Sequence, residues 1–163
     1  MIGDAAAPGP EAAAARLRQA RRRVADAFSG GGELAAAVTG FSPRAAQREM
    51  ALAVFDAIVE RGTLIAEAGT GTGKTFAYLV PALLAGGKVL VSTGTKTLQD
   101  QVHGKDVAAL VRALGLRRST ALLKGRQNYL CQVRLDRAGH DGRLPTREAT
   151  SQLRTIQRFA RTS

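Results

Sequence analysis

A glycine-rich segment at residues 68–75 has the residue types and the spacing that bind nucleotide phosphates. It reads Ala-Gly-Thr-Gly-Thr-Gly-Lys-Thr, the Ala-first form of a Walker A loop. Glycines let successive backbone N–H groups curve around phosphate oxygens, and the start of a following helix adds partial positive charge. Lys74 would reach the β- and γ-phosphates and the Thr75 hydroxyl would ligate Mg²⁺, so these two are the catalytic candidates. The predicted phosphate site comprises Ala68, Gly69, Thr70, Gly71, Thr72, Gly73, Lys74 and Thr75.

The carboxylate that would complete such a site cannot be placed. Hydrolysis of ATP by this type of loop also needs a Walker B aspartate at the end of an apolar strand. The acids after the loop fall on predicted helices or loops: Asp100, Asp106, Asp136, Asp141 and Glu148. No arginine finger is identified either, so the sequence predicts that this chain binds ATP without hydrolysing it.

Short β-type runs alternate with helical segments around the loop. Strands are predicted at residues 63–67, 88–92 and 119–123, each followed by a Gly or Lys-Gly turn. Helices are predicted at 74–85, 97–103, 107–114, 130–138 and 147–161, the last capped by Thr146. Alternation of strand and helix predicts right-handed crossovers and a parallel sheet, and therefore an α/β fold with flanking helices.

The helix predicted at residues 43–61 carries a polar residue on its apolar face. Ser42 is expected to cap its start, and Gly62 to end it in a left-handed conformation. Gln47 lies within about 60° of an apolar stripe on this helix. The stripe consists of Met50, Ala51, Val54 and Ile58. A buried amide without partners costs about 1–3 kcal/mol, so either the fold or a ligand must satisfy Gln47.

The chain before this helix is predicted to be loosely organised. Residues 1–10 have too little apolar surface to offset the entropy of ordering and are expected to be disordered. Helices are predicted at 11–28 and 34–38, separated by a flexible Ser-Gly-Gly-Gly break. The packed domain is expected to begin near Phe41.

Composition and charge indicate a basic globular protein. The 163 residues carry a net charge of +11, with 45% hydrophobic and 4% aromatic residues. Residues 111–163 hold twelve Lys and Arg against three acids, which favours either a polyanionic partner or solvated helix faces. The single cysteine, Cys131, permits no internal disulfide and suggests a reducing, cytoplasmic location. The longest apolar run, 77–85, is too short to cross a membrane.

Four motifs occur in an order that resembles a known family. They are Phe-Ser-Pro-Arg-Ala-Ala-Gln at 41–47, the loop at 67–75, Ser-Thr-Gly-Thr-Lys-Thr-Leu-Gln-Asp-Gln at 92–101 and Leu-Lys-Gly-Arg-Gln-Asn-Tyr-Leu-Cys at 123–131. Together they resemble the start of the XPD/DinG group of iron–sulfur superfamily 2 DNA helicases, most closely its YoaA-like branch. The resemblance implies a RecA-like ATP-binding domain of an ATP-dependent 5′–3′ helicase that acts on single-stranded DNA in DNA repair.

The resemblance also implies roles for individual residues. Arg44 and Gln47 match nucleotide-binding positions, with Gln47 reading adenine. Cys131 is similar to the first of four cysteines that ligate a [4Fe–4S] cluster, which one cysteine cannot hold alone. The DNA-binding candidates are Thr93, Thr95, Lys96, Gln99, Lys124, Arg126 and Arg134.

The family pattern continues beyond residue 163, so an N-terminal fragment is expected. Its parts would be a flexible Ala/Arg-rich extension at 1–32, a partial RecA-like domain at 33–123 and the start of an iron–sulfur region at 124–163. Two alternatives remain open from the sequence. One is a small P-loop phosphotransferase, and the other is a non-catalytic basic module that binds nucleic acid.

Overall fold

The computed structural model describes residues 9–141 and 144–162, and the chain divides into two compact units, Met1–Leu122 and Leu123–Ser163. The first unit contains α1 (Pro10–Ala27), α2 (Glu33–Ala37), α3 (Ala45–Glu60), α4 (Lys74–Ala85), α5 (Lys96–Gln101), a π-helical segment (Val102–Val107) and α6 (Ala108–Ala113). The second unit contains a 3₁₀ turn (Arg126–Asn128), α7 (Gln132–Asp141) and α8 (Arg147–Ala160). None of the helices in the described residues is long and apolar enough to cross a bilayer.

The predicted helices are confirmed, whereas no β-strand is assigned anywhere in residues 9–141 and 144–162. The three predicted strands, 63–67, 88–92 and 119–123, are irregular segments that form no hydrogen-bonded ladder with one another. Ile65 and Leu90 are 94% and 95% exposed. A strand of a parallel sheet is stable only when it is paired with its neighbours and covered on both faces, and these segments have neither support here.

The core of the first unit lies where α1, α3 and α4 pack together. Val24 and Phe28, at the end of α1, are almost fully buried beside Phe55 of α3 and Val80 of α4. The structure therefore differs from the expectation that the packed domain begins near Phe41. The physical reason is that α1 has a narrow stripe of small apolar residues that packs into the core. The five arginines of α1 make its composition look too polar for this. Most of the predicted disordered segment, residues 1–8, lies outside the described residues.

An ion pair also joins α1 to α3. The Arg21 guanidinium donates to both carboxylate oxygens of Asp56, at 2.7 and 2.8 Å. This hydrogen-bonded pairing lowers the pKa of the Asp56 carboxyl below its ordinary value. Because both side chains are partly exposed, the pair contributes little to stability.

The ends of α3 differ from the sequence prediction by one or two residues. Arg44, not Ser42, is the N-terminal flanking residue, and no side chain caps the first amides. At the other end Arg61, with φ 54°, takes the left-handed conformation predicted for Gly62. The turn comes one residue earlier because the Gly62 N–H bonds back to the Ala57 carbonyl at 2.9 Å.

The buried stripe of α3 is also rotated from the predicted one. It consists of Gln47, Ala51 and Phe55, which follow one another at intervals of four residues. Ile58, predicted to lie on this face, is 40% exposed. Phe55, which the predicted stripe did not include, is the largest side chain of the buried one.

Helices α5 and α6 are joined rather than separate. The sequence predicts helices at 97–103 and 107–114, and the π-helical segment makes them continuous. Asp106, buried within this segment, accepts a hydrogen bond from the Gln101 amide at 3.2 Å.

In the second unit α7 packs against α8. The predicted cap of α8 is confirmed, since the Thr146 hydroxyl accepts a hydrogen bond from the Ala149 N–H at 3.1 Å. Helix α7 begins two residues later and ends three residues later than predicted. No residue of either helix is fully buried among those described.

Candidate nucleotide-binding site

The glycine-rich loop ends at the first residue of α4, and its geometry depends on two glycines. Gly71 and Gly73 have φ values of +77° and +79°, which residues with a Cβ adopt only with strain. The Gly73 carbonyl accepts from the N–H groups of Phe76 and Ala77 at 3.1 and 3.2 Å and so starts the helix. The free amides of the first turn of α4 are therefore directed towards the loop.

The side chain of Lys74 folds back into this loop. Its ammonium nitrogen donates to the carbonyls of Ala68 at 2.5 Å and Gly69 at 2.7 Å. The Thr72 hydroxyl also donates to the Gly69 carbonyl, at 2.9 Å, and closes the turn. The positive charge is thereby held at the loop by carbonyl oxygens, which an anion with a stronger acceptor could replace.

Thr75 follows Lys74 on α4. Its side chain is partly exposed, and its hydroxyl has no hydrogen-bond partner among the described residues. A threonine hydroxyl in this state can act as a neutral oxygen ligand for a hard divalent cation.

Two side chains from the start of α3 contact the loop. The Gln47 side chain is only 6% exposed, and its amide nitrogen donates to the Gly73 carbonyl at 2.9 Å. The Arg44 guanidinium donates to the Gly71 carbonyl. The partner that Gln47 requires is thus supplied by the fold, and nothing in the local sequence pattern identified this contact 26 residues away. The second amide hydrogen and the side-chain oxygen of Gln47 are not used by this bond.

A side chain at Gly73 would have to displace the Gln47 amide. A Cβ placed on Gly73 would overlap the Gln47 amide nitrogen and lie 2.9 Å from its carbonyl carbon. Gly71, by contrast, has nothing within 4 Å of the corresponding point. Gly73 therefore meets two separate requirements, one of conformation and one of space.

The predicted DNA-binding residues of the first unit lie around the start of α5. The Thr95 hydroxyl accepts from the Leu98 N–H at 3.2 Å and caps the helix, while the Thr93 hydroxyl donates to the Thr95 carbonyl at 3.2 Å. Lys96 and Gln99 are on α5 itself. Both threonine hydroxyls thus have structural partners, and a threonine directly before a helix is the signal that could have indicated the cap at Thr95.

The predicted DNA-binding residues of the second unit are spread over a turn and a helix. The Lys124 N–H donates to the Tyr129 hydroxyl at 2.8 Å, and Arg126 begins the 3₁₀ turn. Arg134 is exposed on α7. Arg126 and Arg134 are therefore exposed on the surface of their unit, whereas Lys124 is half-buried.

The residues of this chain do not by themselves fit an iron–sulfur cluster. Cys131 is exposed, and its carbonyl accepts from the Leu135 N–H at 3.0 Å. A [4Fe–4S] cluster is held by four thiolates, and the sequence contains one cysteine. Among the described residues, no three His, Cys, Asp or Glu side chains are grouped as metal ligands.

Known proteins similar to this chain belong to the group of helicases that the four sequence motifs indicated. Among curated relatives, the ATP-dependent DNA helicase YoaA of Haemophilus influenzae is 48% identical over 137 residues, which are 84% of this chain and 21% of the relative. YoaA of Escherichia coli is 53% identical over 113 residues, which are 69% of this chain and 18% of the relative. The ATP-dependent helicase DinG of Mycobacterium tuberculosis is 42% identical over 127 residues, 71% of this chain and 19% of the relative.

The chain spans about a fifth of the length of these relatives. No solved structure matches it. The resemblance to DinG and YoaA helicases read from the four motifs is confirmed by these identities. The profile of the family described as "DEAD/DEAH box helicase" matches residues 48–137, more than half of the chain. The chain therefore belongs to the DEAD/DEAH box helicase family.

Proposed function

We propose that this chain is the nucleotide-binding part of an ATP-dependent DNA helicase of the DinG/YoaA type, and that residues 68–75 bind ATP with Mg²⁺. The observation that carries the proposal is the position of Lys74, whose ammonium group is held inside the glycine-rich loop at the start of α4. The names of the relatives, ATP-dependent helicases, support the same conclusion.

The loop would bind a phosphate by exchange of hydrogen-bond partners. Phosphate oxygens replace the carbonyls of Ala68 and Gly69 as acceptors for the Lys74 ammonium, and a charge-assisted bond to an anion is stronger than one to a carbonyl. The free amides at the start of α4 add donors, and the Thr75 hydroxyl becomes a ligand of Mg²⁺. On the base side, the unused donor and acceptor of Gln47 match an adenine edge, with Arg44 beside it.

The remaining parts of the proposal concern the longer protein. Family membership supports a RecA-like parallel sheet that includes residues 63–67, 88–92 and 119–123, and single-stranded DNA bound at residues 93–99. Cys131 is proposed as one thiolate ligand of an iron–sulfur cluster whose other ligands this chain does not contain. Cytoplasmic DNA repair is the proposed setting, on the family resemblance and the single cysteine.

The proposal is tested by titrating the 163-residue chain with ATP and Mg²⁺ in a calorimeter. Lys74→Ala should abolish binding because it removes the charge held in the loop. Lys105→Ala is the matched control, since Lys105 is an exposed helical lysine whose removal changes the net charge equally. Equal affinities for the two variants would contradict the phosphate site, and steady-state hydrolysis by the wild-type chain above the Lys74→Ala rate would contradict binding without turnover.

The assignment of Gln47 has its own test. Gln47→Ala should weaken binding of ATP more than binding of inorganic triphosphate, because only ATP presents a base edge to the amide. The Gln47 bond to Gly73 predicts some loss for both ligands. Equal losses would show that Gln47 only supports the loop.

A further inference from the structure

Helix α8 carries four arginines along one face. Arg147, Arg154, Arg158 and Arg161, here called the arginine stripe, are spaced by seven, four and three residues. At about 100° per residue this spacing places them within about 60° of one another, along about 21 Å of the helix axis. All four are exposed, and Arg161, directly after the helix, still has helical backbone angles.

The arginine stripe forms none of the ion pairs found in the described residues. The contact of Arg158 with the Thr155 hydroxyl, at 3.5 Å, is long for a hydrogen bond. Two arginines of α1 show the contrast, since Arg21 is paired with Asp56 and Arg23 with Glu33.

The helix dipole favours only Arg158 and Arg161, which lie in and directly after the last turn of α8, and does not account for Arg147 or Arg154. Arg154 and Arg158 are like charges four residues apart, a spacing that destabilises an isolated helix by about 0.2–0.5 kcal/mol. Glu148, the one acid of α8, lies roughly 110° around the helix from the centre of the stripe. The fold therefore accounts for at most two of the four arginines, whereas an anionic partner would account for all four.

The opposite face of α8 is apolar. It carries Ala149, Leu153, Ile156 and Ala160, and all of these but Ile156 are partly buried. A helix that lies on a membrane inserts its apolar face and keeps its basic residues at the lipid boundary. Here most of the apolar face is covered within the unit and is not free to insert into lipid, which disfavours a membrane as the partner.

A row of guanidinium groups matches the regularly spaced charges of a phosphodiester backbone. The planar fork of arginine binds phosphate oxygens in pairs, and the second unit is basic overall, with nine Lys and Arg against three acids. We infer that the arginine stripe of α8 binds the phosphate backbone of nucleic acid. The inference deepens the proposed helicase function, on which it rests, and it concerns residues beyond the family match at 48–137.

The test is a double substitution, Arg154→Gln with Arg158→Gln, in the 163-residue chain. Glutamine keeps the helix propensity of arginine and removes its charge. The matched control is Arg18→Gln with Arg22→Gln on α1, since these two are also exposed, four residues apart and without an ion pair among the described residues. Affinities for a single-stranded oligonucleotide and for a duplex of the same length are measured as a function of salt concentration.

The salt slope is the slope of the logarithm of the affinity against the logarithm of the salt concentration. In the stripe variant its magnitude should fall by about 1.4 on single strands or about 1.8 on duplex, because two phosphates are no longer neutralised. The control variant should leave the slope within about 0.3 of wild type, since every phosphate stays neutralised. The natural partner is the form of DNA, single-stranded or duplex, on which the salt slope falls by the full amount expected for that form. If the helix content of the stripe variant falls, Arg147→Gln provides the second variant, with an expected reduction of about 0.7 on single strands.

Three results would overturn the inference. The first is an equal reduction of the salt slope in both double variants, which would mean attraction by net charge alone. The second is an unchanged salt slope in both double variants. The third is loss of binding to phosphatidylserine vesicles with unchanged DNA binding, which would assign the stripe to a membrane.

ATP titration of the same variants separates this inference from the proposed function. If the chain binds ATP but not DNA, only the inference about the arginine stripe is refuted. If the chain binds DNA through the stripe but does not bind ATP, only the proposed nucleotide site is refuted.

Discussion

Gly73→Ala should destabilise the first unit through two separable effects. A residue with a Cβ at φ +79° costs about 1–2 kcal/mol relative to glycine. The added Cβ also overlaps the Gln47 amide nitrogen and breaks its bond to the Gly73 carbonyl. A buried amide left without its partner costs about 1–3 kcal/mol, so the total loss of unfolding free energy is about 2–5 kcal/mol.

A double-mutant cycle separates the two effects. When Gln47 is already alanine, Gly73→Ala should cost only the backbone part, about 1–2 kcal/mol. The coupling between the two substitutions is therefore about 1–3 kcal/mol. Gly71→Ala is the matched control, because Gly71 has nearly the same φ and no atom near its Cβ position. It should cost the backbone part alone and show no coupling to Gln47.

The measurement is urea unfolding followed by far-ultraviolet circular dichroism for the wild type, the three single variants and the two double variants. The reasoning fails if Gly73→Ala and Gly71→Ala cost the same and neither depends on Gln47. That result would mean that Gln47 does not lie against the loop. A large coupling for Gly71 as well would mean that the loop moves as a whole when either glycine is replaced.

Three further predictions follow from the helix ends and the ion pair. Arg61→Gly should raise the unfolding free energy by about 0.5–1 kcal/mol, because glycine adopts φ 54° without strain, and an unchanged urea midpoint would contradict this. Because Arg21 lowers the pKa of Asp56, the pair stabilises the fold above the ordinary pKa of 3.8 and loses this effect as the pH falls through the lowered value. Arg21→Gln should flatten the stability profile in that acidic range. Thr146→Ala should cost about 0.5–2 kcal/mol and reduce the helical signal of α8 because the Ala149 N–H loses its acceptor, while Thr150→Ala should leave that cap intact.

The sequence predicted those elements whose determinants lie close together along the chain. Helix α4 begins and ends where the pattern placed it, because Gly73 before Lys74 and Gly86 after Ala85 fix both ends locally. The cap of α8 by Thr146 was found for the same reason. The need of Gln47 for a partner was also visible, since it follows from one polar residue on an apolar face.

Features that depend on distant contacts were missed. The partner of Gln47 is a backbone carbonyl, which has no side-chain signature. The packing of α1 against α3 and α4 depends on small residues between arginines, and composition alone suggested a loose extension. The strand candidates around Ile65 and Leu90 have the right local pattern, but a strand also needs paired neighbours, and in the described residues these segments have none.

The π-helical segment Val102–Val107 lets the length of the chain vary by one residue at this point. A π turn holds about one residue more than an α turn, so removal of one residue would restore a regular α-helix. Because the wider turn absorbs this extra residue, the side chains that follow would keep their direction, and Leu110 and Leu114 would stay in the core in which they are buried. Gly104, in the middle of the segment, is exposed and has open space where a side chain would stand. This position should therefore accept most substitutions and also the deletion of one residue.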